Sequence, residues 1–179
     1  MKRHQIVLLL MCTVLGAASA SAQERGRVGM AMGFPASIAA IWHVTEAIAI
    51  RPEVDLLRAS REYSYQTTTR TATELTTNLG VSGILFFASQ DNLRTYVSPQ
   101  LAYTRTSATV HSADSSPDIE PTSSGYSAGG SVGAQYAIGR RFSAYGELGV
   151  VYRHTKGPAS NTDINWISTR SAVGVIVYF

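Results

Sequence analysis

The sequence predicts an all-β protein, an eight-stranded antiparallel up-and-down transmembrane β-barrel, and three observations support this prediction. Apolar and polar residues alternate with a period of two through most of the chain after residue 22, as expected for strands that separate two environments. The chain ends at residues 170–179 with RSAVGVIVYF, an alternating segment that finishes on an aromatic residue. Short and long connections alternate along the chain, which is typical of a barrel whose two ends differ.

The alternation divides the chain into eight predicted strands. Their positions are 26–34, 37–44, 47–60, 76–88, 94–109, 125–138, 143–155 and 167–179. In most of them one row is apolar, and the opposite row carries Arg, carboxylates, amides and small residues. Alternation alone does not tell which row is inside, because soluble and membrane barrels share the period with opposite polarity.

The connections help to decide between these two polarities. Three are tight, at 45–46, 89–93 and 139–142. Three are long and polar, at 61–75, 110–124 and 156–166. Short turns at one end and long loops at the other are the pattern of outer-membrane barrels, which favours lipid outside and polar residues inside. The first hairpin departs from this pattern, because almost no residues separate its two strands.

The N-terminus reads as a secretory signal peptide. Lys2 and Arg3 precede an apolar run at 6–18, and Ala20-Ser21-Ala22 matches a cleavage site. We therefore expect a signal peptide at residues 1–22 and a barrel domain at residues 23–179. Cys12 is the sole cysteine, so the exported chain has no thiol for disulfides or metal ligation.

The charges of the exported chain are nearly balanced. Removal of Lys2 and Arg3 leaves 13 basic and 12 acidic residues, so no nucleic-acid partner is expected. Twelve of the basic residues are Arg, and Lys156 is the one lysine. Arg favours fixed multidentate hydrogen bonds over a solvated surface. The histidines lack the spacing of metal ligands, so we expect no metal site and no cofactor.

The last strand predicts an insertion signal. One of its faces carries Val173, Val175, Val177 and Phe179. This arrangement resembles the closing strand of bacterial outer-membrane barrels, whose terminal Phe and alternate apolar residues are recognised by the insertion machinery. The resemblance implies that the barrel-assembly machinery is a partner.

Three segments carry a wider resemblance to the small outer-membrane β-barrel family that contains the OmpA membrane domain, OmpX and Ail. They are the cleavage site at 20–22, GELGVVYRHT at 146–155 and SAVGVIVYF at 171–179. The resemblance implies a monomer in the cell outer membrane, in contact with outer-membrane lipid and lipopolysaccharide. These motifs are specific for architecture and weak for function.

The polar faces predict a charged lumen. An eight-stranded barrel is just wide enough for side chains to fill, and buried charges must pair. The predicted polar network is Arg51, Glu53, Asp55, Arg94, Gln100, Glu147, Arg153 and Arg170. It is interpreted as a plug in preference to a narrow ion path. Pro52 and Pro99 recur with a spacing of 47 residues, and we expect a bulge or a bent strand start at each.

Two groups of apolar residues need interpretation. Outward aromatic residues near strand ends predict an interfacial girdle of Trp42, Tyr103, Tyr126, Tyr136, Tyr152 and Phe179. Four apolar residues fall on the supposed inner face, namely Ile84, Phe86, Val151 and Ile176. Either they form an apolar patch in the lumen, or the predicted registers slip there.

The function predicted first is that of a non-enzymatic barrel with an adhesive or structural role, whose loops 61–75, 110–124 and 156–166 contact a surface ligand. The strands at 47–60 and 94–109 exceed the length of a membrane span and project above it with exposed edges. A narrow channel for ions or small solutes is the alternative.

A lipid A-modifying enzyme is a weaker alternative. His154 with Thr155, and Ser160 with Asp163 in the last loop, supply residue types that a hydrolase needs. They lack the compact His-x-Ser-Asn arrangement of the outer-membrane lipid A deacylases, so no catalytic residue is assigned.

Overall fold

The structure is a computed structural model that describes residues 25–34, 37–65, 68–112, 121–157 and 163–179. The predicted signal peptide lies outside these ranges. Within them, no helix is long and apolar enough to cross a membrane.

Eight antiparallel strands close into a barrel in chain order, and the last strand pairs with the first. The strands are β1 (Val28–Phe34), β2 (Ser37–His43), β3 (Ile48–Tyr65), β4 (Thr68–Gln90), β5 (Leu93–Ser112), β6 (Thr122–Ala137), β7 (Phe142–Lys156) and β8 (Asp163–Tyr178). The predicted fold class and strand number are confirmed. The ends that carry the turns after β2, β4 and β6 are called the inner end, and the opposite ends the outer end.

The barrel wall is apolar outside and mixed inside. On β7, Leu148 and Val150 face outward and are exposed, whereas Tyr145 and Glu147 on the alternate face are buried in the lumen. This alternation follows from the period of a strand, in which successive side chains point to opposite faces. The predicted polarity, with apolar residues outside, is therefore the observed one.

The strand register fixes the tilt of the barrel. Following paired residues once around the wall from Trp166 of β8 returns to β8 at Ile176, a displacement of ten residues. A displacement of that size in a barrel of eight strands tilts the strands by about 40° from the axis. Each residue along a strand then rises by about 2.5 Å along the axis.

The largest departure from the prediction is at residues 61–75. Most of this predicted loop is paired strand, because β3 and β4 stay in register from Ile48 to the Tyr65–Thr68 pair. The segment TTRTATELTT at 68–77 is rich in Thr, whose branched side chain favours extended structure. Its polarity indicated a loop, but polar residues suit a sheet that stands in water.

The other two predicted loops are also partly strand. β5 and β6 both extend into the predicted loop 110–124, and β8 begins at Asp163, inside the predicted loop 156–166. Outside a membrane both faces of a strand can be polar. The sequence then shows no difference between the two faces that would mark where these strands end.

The expected bulge at each proline is absent from the described ladders, although both ladders are interrupted there. At Pro52 and Pro99 the ladder to the preceding strand skips the pairs around the proline and resumes in the same register. Each proline therefore costs a ladder hydrogen bond without adding a residue. Among the described ladders, the register shifts between Phe86 and Ala88 instead.

The first two strands are much shorter than the rest. β1 and β2 have seven residues each, whereas β4 has 23. β2 pairs with β3 only as far as Asp55, and β1 pairs with β8 only as far as Val173. Beyond these points, toward the outer end, the facing edges of β3 and β8 have no paired strand among the described residues.

Candidate functional site: the lumen and the outer rim

A buried ion pair crosses the middle of the lumen. Arg51 on β3 donates from Nη1 and Nη2 to the two carboxylate oxygens of Glu147 on β7, at 2.7 and 3.1 Å. The Tyr96 hydroxyl donates to Oε1 of the same carboxylate at 2.9 Å. All three side chains are buried. Bidentate pairing of this kind is the geometry in which an Arg–carboxylate pair is strongest.

Glu53 extends this pair toward the outer end. Its Oε2 lies 3.8 Å from Nε of Arg51 and 3.5 Å from Nη2 of Arg170 on β8. Gln100, another residue of the predicted polar network, is also buried on the inward face. We call Arg51, Glu53, Tyr96, Glu147 and Arg170 the central charge cluster.

The remaining residues of the predicted network lie at the two ends of the lumen. Asp55 and Arg153 are near the outer end, where Arg153 is exposed and Oδ1 of Asp55 is buried with no hydrogen-bond partner in the described structure. Arg94 is at the inner end, donates to the Glu46 carbonyl and covers the Phe86 ring at 3.7 Å. The structure thus divides the predicted network into a central cluster and two end groups.

Stacked side chains fill the inner end of the lumen. Arg27 lies 3.9 Å from the centre of the Tyr178 ring, and that ring is 5.6 Å from the His43 ring. His43 stacks on Phe86 at 5.7 Å with an interplanar angle of 12°. The Arg94 guanidinium lies over the Phe86 ring, 3.7 Å from its centre. We call these five residues the inner aromatic column.

Hydrogen bonds hold the middle of the inner aromatic column. Nε2 of Gln135 donates to the Tyr178 hydroxyl at 2.9 Å, and Nε2 of His43 lies 3.1 Å from the same oxygen. Tyr178, at the centre of these contacts, is not part of the predicted polar network. The available signal was its position on the polar face of β8, opposite the outward row that ends at Phe179.

The apolar residues on the inner face form a genuine patch. Ile84, Phe86 and Ile176 belong to one buried cluster inside the barrel, and Val151 is also buried. The registers therefore do not slip at these positions. The cluster shares Phe86 and Tyr178 with the inner aromatic column, so apolar and aromatic side chains fill this end of the lumen together with polar ones.

A close approach between strands positions Tyr96. A methyl group added at Gly133 would lie 2.5 Å from Cζ of the Tyr96 ring, well inside van der Waals contact. Gly133 and Tyr96 are register partners on β6 and β5. The absence of a side chain at Gly133 therefore allows the Tyr96 ring to lie flat against the wall, with its hydroxyl directed at Glu147.

Aromatic residues form two exposed belts on the outer surface. The predicted girdle residues are all exposed, namely Trp42, Tyr103, Tyr126, Tyr136, Tyr152 and Phe179. Tyr126 and Tyr136 lie ten residues apart on β6, a separation of about 25 Å along the axis at this tilt. That height matches the apolar band of an outer-membrane barrel between its two interfaces.

The three valines of the predicted insertion signal lie on the outward face of β8, and Phe179 directly follows the strand. Val173, Val175 and Phe179 are exposed, and Val177 is half-buried. The backbone N–H of Phe179 donates to the carbonyl of Val28 at 3.0 Å. The terminal residue therefore takes part in the β8–β1 seam that closes the barrel, at the level of the inner aromatic belt.

His154 lies on the outward face near the outer rim. Its Nδ1 is 2.7 Å from Oδ1 of Asn165, which also accepts a hydrogen bond from the Tyr152 hydroxyl at 3.0 Å. Its ring packs against Tyr126 at 4.8 Å. The described partners of His154 are thus an amide and one aromatic ring, and Ser160 lies outside the described residues. The described part of the chain holds no group of three or more potential metal ligands.

Solved structures share this architecture. A major outer membrane protein from Thermus thermophilus aligns with a TM-score of 0.57 at 12% identity, over 86% of this chain and 98% of that one. The chain has the fold of the small outer-membrane β-barrels. Neisserial surface protein A aligns at 0.48 with 20% identity, over 86% and 94% of the chains. Ail of Yersinia pestis aligns at 0.45 with 13% identity, over 86% and 95%.

At the level of sequence, no protein-family model and no curated protein matches the chain. The fold is shown by the alignment with the Thermus thermophilus protein, by the closed ring of eight strands and by the apolar outer wall. A wall of this kind with two aromatic belts is suited to a bilayer. The protein is an integral membrane barrel of the outer-membrane type.

Proposed function

We propose that the protein is a non-enzymatic outer-membrane barrel that binds a partner at the cell surface through a sheet standing above the membrane. The observation that carries the proposal is the length of β3 and β4. At this tilt the outer aromatic belt crosses β3 near Arg58, and the strand continues to Tyr65. The sheet therefore rises about 18 Å above the belt.

In the described structure the projecting sheet has a free edge along β3. β4 and β5 remain paired as far as Arg70 and Ser112, so the projection has at least three strands. On its other side, β3 has no paired strand beyond Asp55 in the described structure. A free edge offers backbone donors and acceptors to an extended segment of a partner protein, a common mode of recognition.

The backbone groups that face this edge can be identified. The Ile48 carbonyl accepts from Val44 on the β2 side, and the Ala47 carbonyl accepts from Phe86 on the β4 side. In an antiparallel sheet, the N–H and the carbonyl of one residue point to the same neighbouring strand. Even-numbered residues of β3 therefore direct N–H groups to the β2 side, which above Asp55 is the free edge.

A proline substitution separates edge pairing from folding. Ser60→Pro removes an N–H from the free edge, as Pro52 does lower on the same strand, and leaves the β3–β4 ladder intact. Ala59→Pro removes an N–H directed at β4 and serves as the matched disruptive control. The folded state of each variant is checked by its heat-dependent shift in gel mobility.

Surface binding is measured on cells that display the protein. Adhesion to immobilised extracellular-matrix proteins and to cultured host cells is compared for the wild type, Ser60→Pro and a variant in which Ser60 and Thr73, which are register partners, are joined by Asn-Gly. We expect loss of adhesion in the joined variant and a strong reduction in Ser60→Pro. Unchanged adhesion in the joined variant, or no adhesion by the wild type, would overturn the proposal.

The lumen supports this assignment over the alternatives. The central charge cluster and the inner aromatic column fill the barrel at two separate levels, which fits a plug better than an open channel. The described surroundings of His154 suit an interfacial anchor better than a catalytic base. The signal peptide at residues 1–22, the insertion signal on β8, contact with lipopolysaccharide and a monomeric state remain parts of the proposal.

A further inference from the structure

The short first hairpin leaves a gap in the barrel wall. A transmembrane strand needs about 9–11 residues, and β1 and β2 have seven each. Trp42 places the base of the hairpin at the inner aromatic belt. The outer ends of the two strands, Phe34 and Ser37, therefore fall short of the outer belt.

The depth of the gap follows from the register. Paired residues are displaced by ten residues over the eight strands. A line drawn around the wall at constant height therefore shifts by about 1.25 residues per strand relative to the paired residues. Starting from Tyr126, this line crosses β3 near Arg58 and β8 near Ile167. It passes about four residues beyond the ends of β1 and β2, so these two strands end about 10 Å below the outer belt.

The strand edges beside the gap therefore face the outer leaflet. They are β3 from Leu56 to Arg58 and β8 from Ser168 to Ala172, and within the described part of the chain none of these residues is paired across the gap. Unpaired backbone groups are costly within the hydrocarbon region unless a polar partner reaches them. A polar group that enters through the gap would supply such a partner.

The lining of the gap is amphipathic. Leu56 on the outward face and Leu57 on the inward face are both about 60% exposed. Behind them, the lumen presents Asp55, Arg153 and Arg170 at its outer end. Arg170 is engaged with Glu53 at 3.5 Å, whereas Arg153 is exposed and Oδ1 of Asp55 has no hydrogen-bond partner in the described structure.

We propose that this gap is a lateral binding site for an outer-leaflet lipid whose headgroup carries both a phosphate and an N–H or O–H donor. The phosphate meets the guanidinium of Arg153, and the donor meets the half-buried Asp55 carboxylate, whose Oδ1 has no hydrogen-bond partner in the described structure. The acyl chains leave the lumen through the gap and lie along Leu56 and Leu57. This inference is independent of partner binding by the projecting sheet.

Trp166 is a built-in probe for the site. It is one of two tryptophans in the chain, and it is the register partner of Arg153 on β8, beside the gap. In a Trp42→Phe background, its fluorescence is recorded in phosphatidylcholine nanodiscs that contain a small fraction of lipid brominated near the headgroup. The brominated lipid is phosphatidylethanolamine, which has a phosphate and an ammonium donor, or phosphatidylcholine, which has no donor.

The expected result is saturable quenching by brominated phosphatidylethanolamine at fractions at which brominated phosphatidylcholine has little effect. Arg153→Gln and Asp55→Asn should each weaken the apparent affinity by about tenfold, the loss of one charge-assisted hydrogen bond. Arg105→Gln, an exposed arginine on the outward face of β5 near the same height but away from the gap, is the matched control and should change nothing.

Two results would overturn the proposal. One is equal quenching by the two brominated lipids, since bulk lipid would then fill the gap without recognition. The other is undiminished quenching by phosphatidylethanolamine in both site variants, provided that each shows the heat-dependent gel shift of a folded barrel. Diacylglycerol brominated in the same way, which lacks the phosphate, should not quench saturably.

Discussion

Arg51 and Glu147 face each other from opposite sides of the barrel and are joined by two hydrogen bonds of 2.7 and 3.1 Å. They are 96 residues apart in the chain, and both are buried. This pair links β3 to β7 through the lumen, independently of the wall ladders. It is the centre of the plug, and its removal has consequences for both stability and permeability.

Loss of one partner should destabilise the barrel strongly. Glu147→Gln leaves the Arg51 guanidinium buried without its counter-charge, for which a cost of about 3–5 kcal/mol is expected. The free energy of unfolding is measured by urea titration in lipid vesicles. Arg51→Met combined with Glu147→Leu should cost less than Glu147→Gln alone, because no unpaired charge remains. A larger loss in the double variant would contradict this account.

The barrel should not conduct ions in its resting form. The central charge cluster and the inner aromatic column lie in series along the lumen, so removal of one level leaves the other closed. In planar bilayers we expect silence from the wild type, from Tyr178→Ala and from Arg51→Ala with Glu147→Ala. The combination of all three substitutions should conduct. Steady conductance of the wild type would support the channel alternative instead.

Gly133→Ala should destabilise the protein, because its methyl group would lie 2.5 Å from the Tyr96 ring. Overpacking of this kind typically costs about 1–3 kcal/mol. Gly130→Ala on the same strand is the control, since the nearest atom to its added methyl is a backbone oxygen at 3.9 Å. The two variants are compared by urea unfolding. Equal stabilities would show that Tyr96 moves away without cost.

Phe179→Ser tests the insertion signal on β8. If the terminal aromatic residue is recognised by the assembly machinery, folded protein in the cell envelope should fall sharply, while unassisted refolding into vesicles changes little. Phe142→Ser removes another exposed aromatic residue at the inner end of the barrel and is the control. The heat-shifted gel band measures both. An equal loss of folded protein in the two variants would show that Phe179 acts only as a general lipid anchor.

Much of the fold was predictable because the responsible signal is local to each strand. Alternation along β7 and β8 gave the outward and inward faces correctly, as did the terminal row that ends at Phe179. The segment at 68–77 misled the prediction, because a polar strand outside the membrane has no apolar face to mark it. The inward position of Phe86 was visible in the sequence, but its stacking on His43 was not.

The sequence by itself determined the strand number, the polarity of the wall and the residues that face lipid. The reason is that a period of two assigns each side chain to the inward or the outward face from the pattern of its own strand. The tertiary structure alone decided which charges meet, how far β3 and β4 project and where the wall is open. These features depend on register between strands distant in the chain, as with Arg51 and Glu147. No local pattern specifies that β1 and β2 end about 10 Å below the outer belt, since this follows only from closure of the tilted ring.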